Sequence, residues 1–124
     1  MTLRGKNFTY NFNKLTGLFA AMQYEDAVLL DKEMEFNIWR APTDNDRKLK
    51  LDWLAARYDH CMTNAYRTEY QVTDSGVTLR AKVGIAPISL QKFLDLDVCW
   101  TVSNSGAVTL ALHAERNTVF PELP

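Results

Sequence analysis

The chain has 124 residues, 47% hydrophobic and 23% charged, with 14 basic against 15 acidic side chains and a net charge of −1. That suffices for one ordinary domain with its own core, but a complete (β/α)8 barrel enzyme needs about 250 residues. No basic excess points to nucleic acid, and no apolar run approaches the roughly 20 residues of a membrane-spanning helix, so neither is expected as a partner.

Most of the chain alternates with period two, which places apolar side chains on one face of a strand. Phe8, Tyr10 and Phe12 alternate with asparagines and a threonine, Lys14 to Gly17 form a turn, and Leu18, Ala20, Met22 and Tyr24 return as a hairpin. Glu25-Asp26 is a second turn. Val28 to Leu30 and Met34 to Trp39 read as further strands.

Pro42 then breaks the pattern, and Thr43, Asp44, Asn45 and Asp46 are all turn or helix-cap formers. Leu49, Trp53, Ala56 and His60 follow at helical spacing beside Leu54, Tyr58 and Cys61, which predicts one helix over Lys48 to Met62.

Strands resume at Tyr66 to Val72, Val77 to Ile85, Leu94 to Val102 and Val108 to Ala114, joined through Asp74-Ser75-Gly76, Pro87 and Asn104-Ser105-Gly106. The fold class expected is mainly β, an antiparallel β-sandwich with one short helix. Cys61 and Cys99 form no C-x-x-C pair and are expected as buried, reduced thiols. The N-terminus lacks the apolar core of a signal peptide, which leaves the compartment open.

Little in the sequence has the spacing of an active site. His60 and His113 are read as structural or surface residues rather than as ligands or bases. There is no G-x-S-x-G elbow, and the five glycines make no phosphate loop. Asp95 and Asp97 share a strand face at roughly 6.5–7 Å by strand rise, a separation that would permit glycoside hydrolysis, but the reading taken is the solvated face of an amphipathic strand. A calcium loop starting at Asp44 fails, because Lys48, Leu49 and Ala55 stand where it needs an oxygen ligand, Gly and Glu. Trp39, Tyr66, Tyr70 and Trp100 offer aromatic faces for sugar stacking, though three of the four also fall on core faces.

The run Trp39-Arg40-Ala41-Pro42-Thr43-Asp44-Asn45-Asp46 closely resembles the R-A-P-x-D-N-D motif that opens the C-terminal domain of β-galactosidases of glycoside hydrolase family 2. The hairpin Phe8 to Gly17, the Trp-bearing helix Trp53 to Tyr58 and the ending Phe120 to Pro124 resemble the same family, so the resemblance spans the chain.

It implies a partial galactose-mutarotase-like supersandwich, with residues 1–124 as a single domain forming the first half of a larger one. It implies a parent that hydrolyses terminal β-galactosides with two carboxylates carried elsewhere. No catalytic residue and no cofactor carries over to this chain. Divalent and monovalent metal ions of the parent are expected elsewhere, and the partners implied are the parent's remaining domains, its β-galactoside and a possible second copy.

The motif with the residue after it, Arg40, Asp44, Asn45, Asp46 and Arg47, is the candidate site, substrate-proximal or structural. The family places the following loop, here only Arg47 to Asp52, near the mouth of the active site. Arg40 is expected to tie Asp44 or Asp46 through its planar fork of donors. The row Leu94, Leu96, Val98, Trp100 and Val102, with Leu110 and Leu112, is expected near an uncovered apolar face.

Overall fold

A computed structural model describes residues 1–88 and 90–124. Strands β1 (Thr2–Arg4), β2 (Phe8–Asn13), β3 (Leu18–Tyr24) and β4 (Ala27–Val28) form one sheet, and β5 (Cys61–Thr73), β6 (Gly76–Pro87), β7 (Leu94–Ser103) and β8 (Val108–Arg116) a second. Each sheet is an antiparallel meander in chain order. A 3-10 turn at Asp44–Asp46 and one helix, α1 (Leu49–Ala55), lie on the connection between them. The architecture is the expected mainly β sandwich.

The core forms where the two apolar faces meet. Tyr10, Phe12, Phe19 and Met22 come from the first sheet; Leu79, Ala81, Val83, Leu96, Val98, Trp100 and Val102 come from the second. Phe19 meets Trp100 edge-on, with centroids 5.1 Å apart. The Trp100 indole N–H donates to the Gly17 carbonyl at 2.9 Å, and the Tyr10 hydroxyl to the Gly106 carbonyl at 2.7 Å. These two bonds give the amphipathic aromatics a polar partner across the layer, as buried Trp and Tyr require.

The Leu94 to Val102 row was expected near an uncovered face. It is instead buried, because the first sheet of the same chain lies over it. At the β8 end of that face Leu110 and Leu112 stay open, 43% and 49% exposed. Phe19, which strict alternation puts on the outer face, is fully buried. The β2–β3 register shifts between Asn11 and Phe12, so that Leu18 and Phe19 both turn inward.

Two predicted strands are corrected. Val28 to Leu30 contributes only Ala27–Val28, and Met34 to Trp39 forms no strand. The alternation at Met34, Phe36 and Ile38 is real as burial: they lie half-buried against the core while Glu35 and Asn37 are exposed. Among the described residues the segment docks by one backbone bond, from Met34 N–H to the Phe19 carbonyl, rather than by a ladder.

The predicted helix over Lys48 to Met62 is shorter, seven residues ending at Ala55. Tyr58 N–H bonds the Trp53 carbonyl and Arg57 N–H the Leu54 carbonyl, with Arg57 left-handed at φ 58°. That is a Schellman ending with arginine where glycine is usual, so its usual sequence mark is missing. His60 therefore lies in the bend after the helix. Cys61 and Cys99 are free, each half-buried.

Candidate functional site

The motif Arg40 to Asp46 closes on itself. Arg40 Nη1 donates to Asp46 Oδ2 at 2.7 Å and Nη2 to Asp46 Oδ1 at 3.0 Å, a bidentate pair. The backbone N–H and the hydroxyl of Thr43 both donate to Asp46 Oδ2, at 2.8 and 2.9 Å. Asp46 N–H in turn donates to the Thr43 carbonyl at 3.0 Å, closing the short 3-10 turn. Asp46 is the one buried charged residue among those described, and it is fully paired. The Arg40 hydrogen bonds, then those from Thr43, hold its carboxyl well below the usual carboxylate range. The same pair raises the Arg40 pKa.

Arg40 also lies over Trp53, with its guanidinium carbon 4.9 Å from the ring centroid. Trp39 meets Trp53 edge-on, with centroids 6.5 Å apart. Trp53 is the buried anchor of α1, at 2% exposure, and its indole N–H has no partner among the described residues. The turn and the helix are thus fastened together through one arginine.

The five candidate residues divide into two groups. Arg40 and Asp46 face each other. Asp44, Asn45 and Arg47 are exposed, and among the described residues their side chains take no hydrogen-bond partner. Between the two acids offered by the sequence, Arg40 selects Asp46. The signal that singles it out is Thr43 with an acid three residues on, the spacing by which a third helical residue reaches back to its cap. A contact absent from the sequence reading is the bond from the Tyr58 hydroxyl to the Pro121 carbonyl, 2.6 Å, which ties the end of α1 to the C-terminal segment. Tyr58 also packs on Phe93, and Phe93 on Phe120.

The other acids and histidines singled out by the sequence are paired locally at the surface. Asp95 binds Lys92 at 2.7 Å and Asp97 binds Lys82, on the outer face of the second sheet. His60 lies 3.3 Å from Asp59, and His113 3.5 Å from Glu115. Among the described residues no three His, Cys, Asp or Glu side chains gather as a metal-ligand set. Of the four aromatics offered for stacking, Trp100 belongs to the core, Trp39 is half-buried, and Tyr66 and Tyr70 are 57% and 61% exposed. Lys92 Nζ lies over the Tyr66 ring, 4.9 Å from its centroid.

A family model described as "Beta galactosidase small chain" matches residues 4–124. A protein named Beta-galactosidase from Actinobacillus pleuropneumoniae is 35% identical over 117 residues, covering 94% of this chain and 12% of that protein. Proteins of the same name from Staphylococcus xylosus and Priestia megaterium are 28% and 31% identical, over 97% and 100% of this chain and 12% of each relative. The chain therefore spans about 12% of the length of the curated relatives it matches. With nearly every residue inside the family match, this chain belongs to the beta-galactosidase small chain family.

Proposed function

We propose that this chain is a non-catalytic part of a β-galactosidase of glycoside hydrolase family 2, forming the first half of a larger sandwich domain beside the active-site mouth. The observation that carries the reading is the match over residues 4–124 to a small-chain family whose named relatives are about eight times longer. In the parent, two carboxylates on another domain hydrolyse terminal β-galactosides with retention, one as nucleophile and one as acid and base. Divalent and monovalent metal ions are held by other domains.

The division within the motif supports separate roles. Arg40 and Asp46 consume each other's bonding capacity and act as a structural tie. Asp44, Asn45 and Arg47 keep their polar groups free on an exposed turn. They are the residues available to touch substrate or a neighbouring domain of the parent.

Two measurements test this. The 124-residue chain should not turn over a chromogenic β-galactoside. Turnover that survives repurification and is lost on mutating Asp95 or Asp97 would overturn the non-catalytic reading. In the intact parent, Asn45→Ala and Arg47→Ala should raise KM with little change in Tm, while Arg40→Ala should lower Tm. Unchanged KM in both of the first two variants would remove the turn from the active-site mouth.

A further inference from the structure

Strand β5 lies in the middle of the chain, yet the second half of its core-facing row is bare. The register shift between Ala65 and Arg67 decides which residues face inward. Beyond it Tyr70 pairs with Leu79 and Val72 with Val77, and those two pair in turn with Trp100 and Val102 on β7. Residues directly opposite each other on paired strands share a face, so both rows belong to the side that packs on the first sheet. Leu79 and Val102 are buried at 0% and 1% exposure, while Tyr70 and Val72 are 61% and 69% exposed.

The first sheet is pinned to β5 through the turn of its β2–β3 hairpin. Ala65 N–H donates to the Leu15 carbonyl at 2.7 Å, and the Thr68 hydroxyl to the Lys14 carbonyl at 3.1 Å. Past Thr68 no hydrogen bond among the described residues joins β5 to the first sheet. A groove of about 500 Å³ opens there, between residues 1–5 and the Tyr70 end of β5. Tyr70, Val72, Val77 and Val102 line it. Its charged side chains, Arg4 and Lys14, are both cations and form no ion pair among the described residues.

We propose that a strand of the parent chain from beyond residue 124 lies in this groove, over Tyr70 and Val72, with an acidic side chain against Arg4 and Lys14. The inference rests on the reading of this chain as the first half of a larger sandwich, and names where the second half joins. Three features select the occupant. The bare row continues the packed interface between the two sheets, so a strand laid on it extends the same two-layer core. The relatives, about eight times longer, carry the chain to supply it. Both cations are open to a carboxylate, whereas a second copy of the groove would bring only cations together.

Alkylation of a Val72→Cys thiol reads the cover. In the 124-residue chain it should react as an open residue. In the intact parent it should react roughly tenfold more slowly, measured by mass mapping of the peptide that carries it. Arg4→Glu should lower the Tm of the parent and leave that of the 124-residue chain unchanged. Tyr70→benzoylphenylalanine, irradiated in the parent, should cross-link within one polypeptide to a segment after residue 124. A cross-link to a segment before residue 1, or between subunits, would overturn the proposal. Equal labelling of Val72→Cys in parent and chain would do the same, as would an Arg4→Glu parent as stable as wild type. The turnover assay and the KM variants test the underlying reading separately. A parent that meets them while Val72→Cys stays open therefore loses this docking alone.

Discussion

Arg40 grips Asp46 with both terminal nitrogens, at 2.7 and 3.0 Å, while its guanidinium carbon lies 4.9 Å from the Trp53 ring centroid. One side chain thus satisfies a buried carboxylate and packs against the anchor of the only α-helix among the described residues. Lysine can do neither in the same way, lacking both the fork and the planar face. Arg40→Lys is therefore expected to lower Tm, and Arg40→Ala to lower it further. A Tm unchanged in both variants would mean that the tie contributes nothing to stability.

The same pair sets a pH dependence. The Asp46 carboxyl is held below its unfolded value of about 3.9 by Arg40 first and Thr43 second. A depressed folded pKa gives stability that is fully present above the unfolded pKa and is lost as pH falls towards the folded one. The Tm difference between wild type and Asp46→Asn should be largest near neutrality and shrink steadily below about pH 4. A difference that stays constant from neutral pH to strong acid would show that Asp46 titrates alike in both states.

The sandwich was legible because six of the longer period-two runs form strands, and the turn residues fall between them. What failed had local causes. Met34, Phe36 and Ile38 alternate because one side of an irregular segment is buried, and alternation does not report whether a ladder partner exists. Phe19 went unnoticed because a register shift, not a residue type, turns it inward. The helix end was invisible because Arg57 occupies a glycine's place. The motif fixed Arg40 as a donor in search of a carboxylate, but the choice of Asp46 over Asp44 rests on the geometry of the 3-10 turn.

Trp53 and Trp100 are buried about equally but differ in one bond. Trp100 Nε1 donates to Gly17, while Trp53 Nε1 is unpartnered among the described residues. Trp100→Phe strands the Gly17 carbonyl and should cost about 1–2 kcal/mol more than Trp53→Phe. Urea unfolding of the two variants checks this, and equal costs would show that the indole bond across the sheets has no net worth.

Arg57 holds a left-handed conformation at φ 58° with an exposed side chain. Such a conformation costs a non-glycine residue roughly 1–2 kcal/mol, partly offset by the chain entropy glycine loses on folding. Arg57→Gly should stabilise the fold by about 0.5–1 kcal/mol. A destabilised variant would mean that the Arg57 side chain makes a contact worth more than the strain.

Cys61 should be slow to alkylate. Burial, helped by the nearby Asp59 carboxylate, pushes its thiol up to about 11, against an ordinary value of 9.0. Only the thiolate reacts, so near pH 8 its rate should be about a hundredfold below that of a free thiol. Mass mapping after brief iodoacetamide treatment gives the rate, and labelling as fast as that of an unfolded control would remove the burial argument.

Gly17, in the turn of the first hairpin, packs closely against β6 of the second sheet. Its φ is +75°, and a Cβ there would stand 3.0 Å from both the Ala81 Cβ and Val83 Cγ2. Gly17→Ala therefore meets two separate penalties. The left-handed backbone costs a non-glycine residue about 1–2 kcal/mol, and crowding a packed core adds roughly 1–3 kcal/mol. Any shift that relieves the crowding moves the Gly17 carbonyl away from the Trp100 indole, so relief in one place is loss in another. The two penalties separate in a double-mutant cycle. Ala81→Gly removes one of the crowding atoms but leaves the backbone conformation as it is. In that background Gly17→Ala should cost measurably less than in wild type, with a coupling above the about 0.3–0.5 kcal/mol seen for independent sites. Strict additivity would assign the whole cost of Gly17→Ala to the backbone and deny that the hairpin turn touches the second sheet.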